Sequence, residues 1–284
     1  MTADLPRPAE WLVLSEAEVF GRFAALPGAV SDGEGPGRFV FVPGTRSDRV
    51  LLVAHADTHW GDAGITPACL HSDELGPILH STQAGRPDGI GIGADDRAGC
   101  AALWELRGLG HSLLITGGEE DGCVAARRLA GSDRWSREIG GTHGFAVELD
   151  REGRDDAVFY DIATEAFARY VQDRTGYVAR LGTSTDIRHI CRTFCGVNLS
   201  VGYRRQHHAD ELLSVRHWEA TVAVVGRWLS AEGLPGFPLE GVRFTWEGRP
   251  DPFRRLAVGA RHYGAATDRQ GTEIELVEDD GEAG

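Results

Sequence analysis

Lysine is missing from this sequence: all 29 basic residues among its 284 are arginine. Schiff-base catalysis, attachment of pyridoxal phosphate, a kinase and a lysine-type phosphate-binding loop all need a side-chain amine, so these chemistries are excluded. Cysteine is sparse as well. Cys69, Cys100, Cys123, Cys191 and Cys195 are odd in number and form no C-x-x-C pair, which predicts reduced thiols in the core rather than a disulfide framework or a structural zinc knuckle. Positive charge is outnumbered by 43 acidic residues, and a net charge of −14 argues against broad binding to nucleic acid or an anionic membrane. The opening MTADLPRPAEW has no long apolar run and carries Asp4 and Glu10. It reads as neither a signal peptide nor a membrane anchor, and a cytoplasmic location is expected.

What is present is a 42% hydrophobic content, enough over this length for one large core or two modest ones. The pattern alternates strand and helix. SEAEVFGRFAALPG opens with a capping box, Ser15 and Glu18, and stops at Pro27-Gly28, so it reads as a helix. RFVFVP and RVLLVAH are apolar runs of strand length. Residues 61–90 read as loop, with a short strand at PILHST. The helix RAGCAALWELRGL, strand HSLLITG, helix DGCVAARRLAG and strand GFAVELD follow, then DAVFYD as an edge strand, the helix TEAFARYVQDRTG and the buried strand GVNLSVG. The helix SVRHWEATVAVVGRWLS, capped by Ser214, closes the core. Such alternation predicts an α/β fold with helices on a largely parallel sheet. One domain is expected over residues 1–233, with 234–284 as an irregular, partly disordered extension ending VEDDGEAG.

The polar residues fall at one place on this map. His55 and Asp57 follow the strand RVLLVA, Asp95 lies at the turn into the next helix, and Glu119 and Glu120 follow HSLLIT at a Gly-Gly turn. Asp150 ends FAVEL, and His207 comes shortly after VNLSVG. All stand beyond the C-terminal ends of strands, the edge at which open α/β sheets bind ligands. Singly each has a bland explanation: a surface turn, a helix cap, first-turn acids complementing a dipole. Together, two histidines and several carboxylates have the ligand chemistry of a divalent metal site, and the number of acids favours a pair of metals. The stretch GIGADDRAGC has glycines spaced as in a phosphate loop, but Asp95 and Asp96 would repel an anion there. The same pair argues against a nucleotide-binding oxidoreductase.

LLVAHADT, GIGADDRAG, ITGGEED, AVELDREG and SVGYRRQHHADE, in this order, resemble the successive metal-site motifs of the zinc-dependent aminopeptidase, carboxypeptidase and deacylase superfamily. The likeness spans about residues 48–230. It implies a phosphorylase/hydrolase-like fold: a three-layer α/β sandwich with a mixed, mostly parallel sheet flanked by helices. It also implies two zinc ions per chain, cobalt or manganese being possible. His55 and Asp150 would hold one, Glu120 and His207 the other, and Asp95 would bridge both. Asp57 would orient His55 without touching metal, Glu119 would be the general base toward a metal-activated water, and Asp96 a structural neighbour. The implied activity is hydrolysis of a peptide or other amide bond, aminopeptidase-like. The alternatives are a degenerate metal- or peptide-binding relative and an N-acyl amide deacylase. The substrate class is a small peptide or amide, with no nucleic acid or membrane partner. Many relatives carry a large lid or dimerisation domain, for which the intervals here are too short; the gap from His55 to Asp95 has room for a small flap. Glu148 lies two residues from Asp150 on the same strand face, and His208 neighbours His207, so each is an alternative ligand.

Overall fold

The computed structural model describes residues 6–240 except 63, 64, 73, 74, 85 and 87. Two short helices open the chain, α1 (Ala9–Leu12) and α2 (Glu16–Ala24). The Ser15 hydroxyl accepts from the Glu18 amide and the Glu18 carboxylate accepts from the Ser15 amide, the reciprocal capping box that the sequence predicts. Strands β1 (Val30–Asp32), β2 (Phe39–Val42) and β3 (Leu51–His55) come next, then the hairpin β4 (Pro67–Ser72) and β5 (Gly76–Ser81). Helix α3 (Ala94–Leu106), strand β6 (Ser112–Thr116), helix α4 (Val124–Ala130) and strand β7 (Ala146–Arg151) follow. The chain continues through β8 (Asp156–Val158), α5 (Glu165–Thr175), β9 (Val178–Arg180), α6 (Ile187–Ile190) and β10 (Gly196–Ser200). It then forms β11 (Tyr203–Arg204), β12 (Leu212–Ser214) and the long α7 (Val215–Leu229).

Eight strands form one mixed sheet in the order β1-β2-β6-β3-β7-β10-β8-β9, whose centre, β6-β3-β7-β10, is parallel throughout. Every residue of β3 and β6 is buried, which is why LLVAH and SLLIT read as unbroken runs rather than alternating ones. On one face Phe39, Phe41, Leu51, Val53, Leu114 and Ala146 pack with α4 and α6. On the other lies α3, to which α7 is tied where the Trp218 Nε1 donates to the Ala98 carbonyl at 2.9 Å. The sandwich is therefore three-layered, as the alternating pattern and the resemblance imply.

Two parts differ from the sequence expectation. Asp156–Val158 is not the edge strand: β9 pairs outside it, because the three-residue segment VAR is too short to carry a periodic signal. The stretch read as loop holds the β4–β5 hairpin, which joins β12 and β11 in a second, four-stranded sheet in the order β11-β12-β5-β4. Three of the residues of β4 are exposed, so the strand lacks the apolar alternation that would betray it. The extension expected from residue 234 starts against this body. The Phe237 amide donates to the Gly144 carbonyl at 2.8 Å, and its ring packs with Phe145, Phe167 and Tyr170. Residues 241–284, the rest of that extension, lie outside the described residues. All five cysteines are free, four of them buried.

Two buried histidines lock the sheet to its surroundings as neutral rings. The His111 Nδ1 accepts from the Val50 amide at 3.2 Å while its Nε2 faces the Leu229 carbonyl at 2.9 Å. His143, 7% exposed, places Nδ1 3.1 Å from the Ile139 carbonyl and Nε2 2.8 Å from the Ser112 hydroxyl. Burial pushes His143 down to about 4 from an ordinary value of 6.5. Above pH 6.5 both folded and unfolded states are neutral, and the stabilisation is complete. As pH falls toward 4 the unfolded chain takes the proton first and stability is lost, by on the order of 3 kcal/mol for a shift of this size. The free energy of urea unfolding should therefore fall between pH 6.5 and pH 4, with a shallower slope in His143→Gln; equal slopes would show that this ring does not titrate between the two states.

Candidate active site and metal centre

The site sits at the C-terminal ends of β3, β6 and β7, where the parallel centre of the sheet opens into loops. His55 is the last residue of β3, and its ring is held from both sides. Nδ1 lies 3.0 Å from the Asp57 backbone carbonyl, which can only accept, so this nitrogen carries a proton and Nε2 is the one turned inward. Nε2 lies 3.1 Å from Asp95 Oδ1 and 3.5 Å from Asp150 Oδ1.

Asp95 is delivered by the glycine turn before α3. Gly93, in the left-handed region at φ 66°, would place a Cβ 3.2 Å from the Thr58 methyl, so a larger residue would meet both backbone strain and a wall. Asp95 and Asp96 depart from helical geometry, and the peptide between them is cis. The two oxygens of Asp95 point opposite ways: Oδ1 to His55, Oδ2 to His207 Nε2 at 3.4 Å. Asp96 turns into the protein, where its oxygens accept from the His55 amide at 3.3 Å and the Gly99 amide at 2.8 Å.

Asp57 does less for His55 than its spacing suggests and more for the glutamates. Its Oδ1 is 3.4 Å from His55 Nδ1, but its two oxygens accept from the amides of Glu119 at 3.2 Å and Glu120 at 3.1 Å. Both glutamates are thereby fixed at the end of β6. Glu120 reaches His207, with Oε2 2.9 Å from Nε2. Glu119 has the Cys123 thiol 3.6 Å from Oε1. Asp150 is set by a pairing across the bulge between β7 and β10: its amide donates to Asn198 Oδ1 at 3.0 Å, and Asn198 Nδ2 donates to its carbonyl at 2.7 Å. The Tyr203 hydroxyl donates to Asp150 Oδ1 at 3.0 Å.

The two open alternatives separate by contact. The Thr185 hydroxyl lies 2.6 Å from Glu148 and 3.1 Å from Asp150; Glu148 also accepts from the Ile187 amide at 3.3 Å, whereas Asp150 faces His55. Both histidines are exposed, but His207 touches Asp95 and Glu120, while His208 contributes its backbone to the turn that ends at Glu211.

The motifs assign no role to three further participants. Glu211, 1% exposed, accepts from the Gly93 amide at 2.8 Å and the Trp60 Nε1 at 3.3 Å on one oxygen, and from the Asp95 amide at 3.0 Å on the other. It sits 116 positions from the residue it steadies, a separation no local pattern records. Asp186 is fully buried and accepts from the Thr116 hydroxyl on Oδ2. His59 stacks on His207 with ring centroids 4.8 Å apart. Its only trace in the sequence is a second histidine four places after His55 in HADTHW.

Electrostatics explain why such a cluster calls for cations. Burial raises Asp150 to about 7 and Glu119 to about 9, with the Asp95 charge adding to both and that of Asp150 adding to Glu119. Burial also works to raise Asp95, but hydrogen bonds with His207 and His55, and their charge, hold it well below the usual carboxylate range. His207 is carried up to about 10 by its hydrogen bonds to Asp95 and Glu120. The cluster without metal is thus held together by protons. Imidazole nitrogen and carboxylate oxygen are donors that suit zinc, and metal would displace those protons. Ligand atoms of His55, Asp95 and Glu120 lie within 4.8 Å of one another, as do those of His59, Glu120 and His207. The residues therefore fit a divalent metal centre.

No protein-family model matches the chain, and no curated protein does. Solved structures do. Aminopeptidase PepT of Bacillus cereus ATCC 10987 superposes with a TM-score of 0.55 at 16% identity, over 78% of this chain and 96% of that one. A tripeptidase of Staphylococcus aureus subsp. aureus Mu50 gives 0.53 at 12% identity, over 79% and 96%. An aminopeptidase of the archaeon Desulfurococcus kamchatkensis gives 0.50 at 14% identity, over 78% and 95%. The fold is the mixed α/β sandwich of these aminopeptidases, as the sequence resemblance implies. Among the described residues no helix is long and apolar enough to cross a membrane.

Glu211→Gln tests how the site is built. An amide has a single acceptor oxygen, so the Gly93 or the Asp95 N–H would lose its partner in the interior, at about 1–3 kcal/mol. Chemical unfolding should read that loss; wild-type stability would mean the turn is held without this carboxylate.

Proposed function

We propose that this chain is a metal-dependent hydrolase of the aminopeptidase type, cleaving a small peptide or another amide bond. The observation that carries the reading is the Asp95 carboxylate, whose two oxygens face two different histidines across the site. A carboxylate so placed can hold a pair of cations, with His55 and Asp150 at one end and Glu120 and His207 at the other. The shared fold of peptidases supports the same reading. Zinc suits the donors best, and cobalt or manganese would also be accepted. When bound, such a pair supplies Lewis acidity and makes a water acidic near neutral pH.

The chain's own contribution is to position and to move a proton. Glu119 is the general base. The Asp57 carboxylate fixes its backbone, and its half-buried side chain makes no hydrogen bond to His207 as Glu120 does. Burial raises Glu119 to about 9, with the charges of Asp150, Asp186 and Asp95 adding; two dications would offset the part due to those charges and favour a carboxylate that accepts a proton from water and delivers it to the leaving amine.

A strong chelator should abolish hydrolysis of aminoacyl or N-acyl amides, and zinc or cobalt should restore it; full activity in demetallated protein would sink the reading. Glu119→Gln should keep its metals and its fold yet lose turnover by on the order of 100- to 10,000-fold, because an amide keeps the shape but accepts no proton. Metal content and turnover measured together decide this, and a variant within a few-fold of wild type would remove Glu119 from the role.

A further inference from the structure

We propose that His59 is a metal ligand, completing with Asp95, Glu120 and His207 a four-donor set at one end of the site. The other end has three protein donors, His55, Asp95 and Asp150. The inference rests on the reading of the site as a two-cation centre and adds a ligand to it.

His59 lies on the turn just past β3, exposed, with its ring stacked on His207 at 4.8 Å and an interplanar angle of 23°. A ring nitrogen of each and a carboxylate oxygen of Glu120 lie within 4.8 Å of one another. The two rings thus lie close enough to that carboxylate for one ion to sit among all three groups. The turn itself is anchored. The Gly61 amide donates to the Thr58 carbonyl at 2.9 Å, and the Thr58 hydroxyl donates to the Gly61 carbonyl at 3.2 Å. Trp60 packs edge-on against His59 at 5.0 Å, and its Nε1 donates to Glu211 Oε2, the carboxylate that also takes the Asp95 amide on its other oxygen. A Cβ added at Gly91 would come within 2.4 Å of that Nε1, so the backbone closes directly on the indole. His59 is thus carried by a turn tied to the segment that presents Asp95.

Chemistry separates the two ends. Two imidazoles and two carboxylates fill a tetrahedral zinc site, the arrangement of sites that hold metal, whereas three donors leave a position open, the arrangement of sites that act on a ligand. At the His55 end ligand atoms of Asp96 also lie within 4.8 Å of those of His55 and Asp150, but its oxygens already accept from two backbone amides, which leaves it the weaker donor. The His207 end is then the one that retains its ion, and the His55 end the one that offers a free coordination position.

The test is metal binding rather than turnover. Demetallated protein is titrated with Zn2+ against a chromophoric chelator, and with Co2+ followed by its visible absorption. The full-length wild type should take two equivalents, one tighter than the other. His59→Ala, at an exposed position, should keep its far-UV circular dichroism. At the tighter equivalent it should lose at least the roughly 10- to 100-fold in affinity that removing even an outer partner costs, together with the intense tetrahedral Co2+ bands. His59→Asp, which restores a donor oxygen, should recover part of both, and His208→Ala should match wild type. Wild-type affinities and Co2+ spectrum in His59→Ala would overturn the assignment of His59 alone. A wild-type chain that binds fewer than two equivalents would overturn the two-cation reading, and this inference with it.

Discussion

The structure turns on a concentration of buried negative charge that the fold cannot tolerate bare. Asp95, Asp96, Glu148, Asp186 and Glu211 are all buried at or beside the ends of the parallel strands. Each is compensated in its own way. Asp96 and Glu211 take backbone amides, Glu148 takes a hydroxyl and an amide, Asp186 a hydroxyl on one oxygen with its other oxygen unpartnered among the described residues, and Asp95 two histidines. An unpaired carboxylate in such surroundings would take up a proton rather than stay ionised. Asp95 keeps its charge because imidazoles stand on either side, and this makes it the point from which the rest of the site is arranged.

The scaffold around Asp95 is correspondingly rigid. Strand ends fix His55, Asp150 and the pair Glu119–Glu120, and each is held by a second group whose only task is position. Asp57 shows how one carboxylate can serve several residues. Its two oxygens aim the backbone of both glutamates while its own carbonyl assigns the proton on His55. Reacting groups on strand termini, supported by a ring of hydrogen bonds, are held more closely than groups on loops would be.

Much of this was legible in the sequence, and the reason is local. His55 and Asp150 end apolar runs, Glu119 and Glu120 follow one after a Gly-Gly turn, and Asp95 lies at the turn into a helix, so their shared edge can be read without knowing the strand order. The central strands were equally clear because they are buried on both faces. What escaped was nonlocal or short. Glu211 acts on a turn more than a hundred residues away, β9 and β11 are too brief to show a period, and β4 faces water. Asp57 was read from its i, i+2 spacing to His55, which places two side chains on one face of an extended strand. The strand ends at His55, yet the Asp57 carboxylate still comes within 3.4 Å of His55 Nδ1; its hold on the two glutamate amides is the part the spacing does not show.

The second sheet gives the site a divided ancestry in the architecture. His207 sits in the turn between β11 and β12, with backbone φ of 62°, while His55 and Asp150 end strands of the large sheet, Glu120 follows its β6 and Asp95 opens the helix packed on it. An ion gripped by both sheets is then a rivet between them. Filling the site would join two pieces of the scaffold as well as arm its chemistry, and losing the ion would release them together, so that catalytic competence and mechanical integrity rise and fall as one.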